Sequence, residues 1–171
     1  MPRVKLDKID RKILSHLQAN ARMTNVELAQ AAGISAPPCL RRVRALEEKG
    51  IIRGYHANLN KAALGYTVTV FAYVKLVSQA EPDLRKFEAR VDGWEMVREC
   101  HLIAGEVDFI LKVVAPDWSR YQQFLTSELS ATENVTSVKS NLCMATVKDA
   151  PGIPIAPDDD TYPKRKAGNT E

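Results

Sequence analysis

From Leu6 to about Gly50 the apolar residues recur every three or four positions, and from Thr67 they recur every second position. The first period belongs to helices with one buried face, the second to half-buried strands. The change divides the chain into a helical N-terminal module and a second module built on a sheet. A first helix is predicted over Leu6–Asn20, capped by Asp7, with Ile9, Ile13, Leu14 and Leu17 inward. A second starts at Thr24, where Thr24 and Glu27 have capping-box spacing and Met23 and Leu28 can close a hydrophobic staple. Leu28, Ala29 and Ala32 face its core, and Gly33 supplies the left-handed residue that stops it. Pro37 and Pro38 are tolerated only in a first turn, so a third helix begins at about Ala36. Its inward stripe is Leu40, Val43 and Leu46, with Cys39 beside it. Ile51–Ala57 then reads as a strand or small wing, and Lys61–Tyr66 as a hinge.

In the second module Thr67–Val77 is a strand, and Pro82 opens a helix with Leu84, Phe87 and Val91 inward. Met96–Leu102 and Val107–Val114 are strands joined by a short Ala-Gly-Glu turn. Asp117 caps a helix bearing Trp118, Tyr121, Leu125 and Leu129, and Val135–Lys148 is a last long strand. The order β-α-β-β-α-β is the ferredoxin-like split. The expected class is α+β: a winged helix-turn-helix over 1–60, a linker over 61–66 and a ferredoxin-like domain over 67–150. From Pro151 to Glu171 there is almost nothing to bury, and a mobile tail is expected.

Composition sharpens this picture. With 45% hydrophobic and 26% charged residues in 171, the chain is globular, of one ordinary domain or two small ones. No apolar run approaches the roughly 20 residues needed to span a bilayer, and there is no signal-peptide core. Cys39, Cys100 and Cys143 are odd in number and far apart, which argues against a disulfide framework or a zinc site. A cytoplasmic protein without membrane contact is expected. Residues 1–60 hold 11 Lys and Arg against 5 Asp and Glu, a net of +6, whereas 61–171 carry a net of −3. Only the first module therefore calls for a polyanion partner. The basic run Lys164-Arg165-Lys166 is offset by Asp158-Asp159-Asp160, and reads as part of a solubilising tail rather than a DNA contact.

The third helix carries the chemistry. At about 100° per residue Arg41 falls opposite the inward stripe, with Arg42 and Arg44 flanking it. Arginine is the residue best suited to bidentate contact with guanine edges and phosphates. Two short helices around a tight glycine turn, the second rich in arginine, are the sequence form of a helix-turn-helix. Double-stranded DNA is the expected partner, contacted by Asn25, Ser35, Pro37, Arg41, Arg42 and Arg44. Ser35 would cap the amides of N2 and N3, but those positions are prolines. Its hydroxyl is either free to meet a phosphate or simply solvated. Glu47 and Glu48 offer Arg44 an alternative partner within the helix, while Arg41 has none at those spacings. Arg3 and Lys5 are placed to follow the DNA backbone or minor groove. A catalytic or metal role finds little support: His101 lies near Glu106 and Asp108, but no third ligand has typical spacing, and no phosphate loop or nucleophile elbow is present. Neither cofactor nor enzymatic activity is expected.

Four segments together resemble a known family: LDKIDRKIL…LQANARMTNVELA, GISAPPCLRRVRALEEKGIIRGYHA, GEVDFILKV and VTSVKSNLCMATVK. They are similar to the leucine-responsive/asparagine-regulator (Lrp/AsnC) transcription factors over about Leu6–Lys148. The resemblance implies a winged helix-turn-helix joined to a ligand-sensing domain that dimerises. In that family dimers often assemble further, commonly into octamers around which DNA can wrap in the nucleoid. It also implies an amino-acid effector, held between dimers by the turn that follows the Met96–Leu102 strand and by neighbouring strands. Here the turn is Ala104-Gly105-Glu106-Val107-Asp108, and Gly105 would let the backbone approach a carboxylate closely. Asp108 would take the ammonium group, with Glu106 and Ser140 completing the set. The family often has a hydroxyl residue where Ala104 stands and a threonine where Ser140 stands, so one donor is missing. Read without the resemblance, the same turn is an ordinary β-turn with a surface aspartate. The function implied is a sequence-specific regulator tuned by an amino acid or related metabolite. The competing reading is an architectural protein that coats or bends DNA with little sequence choice and no effector.

Overall fold

The computed structural model describes residues 4–150 and 152–156. Arg3, the acidic Asp158–Asp160 run and the basic Lys164–Lys166 run lie outside the described residues. The chain forms two compact units, one from the residues up to Asn58 together with those from Lys148 onward, the other from Leu59 to Val147.

The first unit contains α1 (Lys8–Ala19), α2 (Asn25–Ala32) and α3 (Ala36–Glu48). Asp7 caps α1 and forms a reciprocal box with Asp10, and Thr24 does the same for α2 with Glu27. Gly33 closes α2 at φ 77°, a left-handed conformation that costs glycine little. The core is Ile13, Leu28, Ala29, Ala32, Cys39 and Leu46, with Val43, Ile51 and Ile52 packed against it. Leu40 departs from expectation: it is 40% exposed, and Cys39 is fully buried in its place. Starting at Ala36, the helix turns Cys39, Val43 and Leu46 inward at i, i+4 and i+7, and Leu40 lies one step of about 100° beyond. The expected strand at Ile51–Ala57 is not formed. Ile51 and Ile52 hang from the Leu46 carbonyl at 2.9 and 3.2 Å, and Tyr55 donates its hydroxyl to Glu47 at 2.8 Å. Gly152–Ala156 departs from the expectation of a mobile tail, because it is bonded to α1.

The second unit contains β1 (Val68–Leu76), α4 (Glu81–Asp92), β2 (Val97–Leu102), β3 (Phe109–Ala115), α5 (Trp118–Phe124) and β4 (Val135–Leu142). The sheet runs β2-β3-β1-β4, antiparallel throughout, which is the ferredoxin-like order. Val70, Ala72 and Val74 of β1, with Phe109, Leu111 and Val113 of β3, bury against Phe87, Trp94, Tyr121, Phe124 and Leu129. Phe71, Tyr73, Ile110 and Val114 alternate onto the other face and stay half-buried. β4 stops at Leu142 rather than Lys148. Its register pairs Val70 with Leu142, and the Cys143 amide still reaches the Thr69 carbonyl at 2.9 Å; beyond that β1, which starts at Val68, offers almost no further partner. Trp118 lies outside the core at 45% exposure, stacked on Tyr121 at 5.3 Å between ring centroids. α5 continues as a π-helical turn over Leu125–Leu129. There Thr126 and Ser127 back-bond to the Gln122 and Gln123 carbonyls at 3.0 and 2.6 Å.

Candidate nucleic-acid interface and effector turn

The three arginines of α3 are used differently. Arg42 turns toward α1, where its Nη1 lies 2.6 Å from Asp7 and 2.7 Å from Asp10. It therefore braces α3 to α1, with its Nη1 already engaged rather than free for the DNA contact expected of it. The backbone amide of Asp10, and then Arg42, hold the Asp7 carboxyl below its usual value of 3.8. Arg41 and Arg44 are exposed and face a shallow depression with Pro37, Leu40, Ala45 and Glu48. Neither has an ion-pair partner among the described residues. Glu47, the acid offered to Arg44 by spacing, is instead bonded by Tyr55, whose phenol burial, and then that carboxylate, push up to about 12.

Two polar residues at the start of the motif separate in the same way. Asn25 donates from Nδ2 to the Ala36 carbonyl at 2.9 Å, and its Oδ1 is covered without a partner. It ties the first residue of α2 to the first residue of α3, and this bond occupies its Nδ2. Ser35 makes no cap bond, as Pro37 and Pro38 require, and is exposed beside Pro37 at the start of α3. The outward set is thus Ser35, Pro37, Arg41 and Arg44. Sequence reasoning missed Leu40, which the helix phase places on this surface.

The expected effector residues do not converge within one chain. Gly105 and Glu106 are exposed at the tip of the β2–β3 connection, closed by an Ile103 N–H to Asp108 carbonyl bond of 2.9 Å. A Cβ at Gly105 would meet nothing within 4 Å, so nothing inside the chain requires glycine there. Asp108 is not a surface residue awaiting an ammonium group. It is 4% exposed, accepting from the Leu76 amide at 2.7 Å and from Gln79 Nε2 at 2.6 Å. Its carboxylate fastens β3 to the bulged end of β1. Ser140 lies on β4, the opposite edge strand from β2, paired across from Ala72 and hydrogen-bonded to the Tyr121 hydroxyl. His101, considered with Glu106 and Asp108, instead meets Glu99 at 3.4 Å, a carboxyl lowered chiefly by Lys112 at 2.7 Å. Among the described residues no group of three or more His, Cys, Asp or Glu could hold a metal ion, and no helix is long and apolar enough to cross a membrane.

A helix-turn-helix with a cationic second helix, followed by a ferredoxin-like unit, defines a DNA-binding regulator with a separate sensing module. Comparison with known proteins agrees. Residues 6–53 match a winged helix-turn-helix DNA-binding model, and residues 69–153 match the Lrp/AsnC ligand binding domain. A leucine-responsive regulatory protein of Rhizobium meliloti is 53% identical over 148 residues, covering 86% of this chain and 95% of that protein. The protein of the same description from Escherichia coli K12 is 39% identical over 145 residues, covering 85% and 88%. Among solved structures, a Neisseria meningitidis transcriptional regulator in complex with L-Met superposes with a TM-score of 0.83. It is 33% identical, over 88% of this chain and 97% of that one. The chain belongs to the Lrp/AsnC family of transcriptional regulators. It is a DNA-binding regulator and not an enzyme.

Proposed function

We propose that α3 reads DNA through Arg41 and Arg44, that the chain acts on the chromosome as a homodimer or a larger assembly such as an octamer, and that an amino acid modulates it. The observation that carries the reading is the division of labour on α3. Arg42 is engaged by Asp7 and Asp10, while Arg41 and Arg44, beside the exposed Pro37 and Leu40, have no ion-pair partner among the described residues. Guanidinium groups without internal partners lose no protein contact on meeting a guanine edge or a phosphate. The open sheet face of Phe71, Tyr73, Ile110 and Val114 suits a second copy, since a two-fold interface presents the same patch from both sides. Two copies would place two α3 helices in successive major grooves about 34 Å apart and favour a roughly palindromic site.

The amino-acid reading is supported by the relatives named for response to leucine and by the L-Met complex of the Neisseria regulator. The β2–β3 turn supplies a glycine with open space over its Cα and, at Glu106, an exposed carboxylate. With Asp108 occupied internally, Glu106 takes the ammonium role. Because β2 and β4 are opposite edges of one sheet, a site joining the turn to a β4 residue is made between chains.

The test selects the tightest site from a random duplex library and compares it with unselected DNA. Arg41→Ala is expected to lose most of the preference for the selected site and to reduce the salt slope by about 1. Equal losses on both duplexes would remove the base-reading role and favour a coating protein. A melting screen against the twenty amino acids is expected to yield at least one that raises the melting temperature, because binding to the native state stabilises it. Glu106→Gln should abolish that rise. If none of the twenty shifts the wild-type transition, the effector reading is wrong.

A further inference from the structure

Gln18, near the end of α1, holds the main chain of Ile153 from both sides. Its Nε2 donates to the Ile153 carbonyl at 2.7 Å, and its Oε1 accepts from the Ile153 N–H at 3.1 Å. One side-chain amide that satisfies both backbone groups of a residue acts as a ladder neighbour would, so it selects extended backbone. Gly152, just before, is left-handed at φ 74°, and a Cβ there would lie 2.2 Å from Gln18 Oε1. Two turns back along α1, Arg11 donates to the Ala156 carbonyl at 3.4 Å, and both residues are buried. Arg11 and Gln18 lie seven positions apart on one helix face, about 10 Å along the axis. With Ile153 at Gln18 and Ala156 at Arg11, the segment runs back along α1 in the opposite direction.

We infer that Gly152–Ala156 is a strap belonging to the DNA-reading unit, and that Gln18 and Gly152 are positioning residues for the recognition helix. The strap holds α1; Asp7 and Asp10 at the start of α1 hold Arg42; and the two Arg42 ion pairs brace α3 in the rotation, with Cys39, Val43 and Leu46 buried, that leaves Arg41 and Arg44 outward. The inference rests on the α3 reading given above. The strap is also the part of this unit that follows β4 in the chain, so strain in residues 143–151 has a covalent route to α1.

The experiment uses the full chain and two measurements: backbone hydrogen exchange, and affinity for the selected site and for random duplex. In the wild type the Ile153 amide should be protected together with α1. Gln18→Ala and Gly152→Val should each speed exchange in 152–156 and in α1. Each should also weaken the selected site about three- to tenfold, the loss of one or two ordinary hydrogen bonds, with random duplex and salt slope unchanged. General destabilisation would lower both affinities alike. Gln18→Glu, which keeps the acceptor for the Ile153 N–H, should fall between, and Lys12→Ala, exposed on the same helix, should change neither measurement. Free exchange of Ile153 in the wild type, or clasp variants that bind both duplexes as wild type does, would overturn the strap. An Arg41→Ala chain that keeps its site preference would sink the α3 reading instead, and the exchange arm would still report on the strap.

Discussion

Three arginines within four positions look alike in a sequence, yet only their partners decide what each does. The partners of Arg42 are 32 and 35 residues away, on a different helix, and no spacing rule reaches them. Arg42→Ala should therefore destabilise the helical unit by about 1 kcal/mol, toward the upper end for partly exposed pairs because Asp10 is mostly covered. It should leave the salt slope of DNA binding unchanged, which thermal melts and a salt titration would check. The pH dependence follows from Asp7, whose folded carboxyl titrates below the ordinary 3.8. A depressed carboxyl contributes stability that is complete above the ordinary value and disappears as pH falls through the folded one. Acid melts of the wild type should show this loss below about pH 3.8, and in Arg42→Ala it should be smaller. An identical acid profile in both would mean the brace is not formed in solution. Ser35 was legible because the prolines alone deny it its cap; Asn25 was not, because its acceptor is a carbonyl 11 residues on.

Helices and strands were readable where local chemistry sets them. Capping boxes, twin prolines and alternating apolar residues place α1, α2, α3 and the sheet strands within a few residues. Where an element depends on a neighbour, the sequence was silent. β4 gives out close to the start of β1, the Ile51–Ala57 segment finds no ladder, and nothing in the local pattern announces the π-turn over Leu125–Leu129. The Val107–Asp108 end of the turn is the clearest case. The spacing shows a turn with an acid, but not that the acid is folded inward onto Leu76 and Gln79. Asp108→Ala should leave the buried Leu76 amide unpaired and cost about 1–3 kcal/mol of the sheet unit's stability. Gly105→Ala, whose new methyl meets nothing, should be neutral in the melt while weakening any amino-acid response. A destabilised Gly105→Ala, or a fully stable Asp108→Ala, would reverse these assignments.

At the scale of the molecule, the division of charge was the most informative global feature. A net of +6 on residues 1–60 against −3 on the rest locates the DNA surface before any helix is drawn. Binding should weaken steeply with salt through counterion release, and charge changes confined to residues 67–150 should leave that slope alone. The ordering of the units along the chain was legible as well; the return of the chain after Val147 was not, since GIPIA carries no periodic pattern.

That return bears on biosynthesis. A ribosome releases the three helices early, but their final piece, with Gly152 at its head, emerges only after every strand of the sheet has been made. Nascent or prematurely terminated chains that lack this piece should therefore show the same weakened preference for the selected site that is expected of Gln18→Ala.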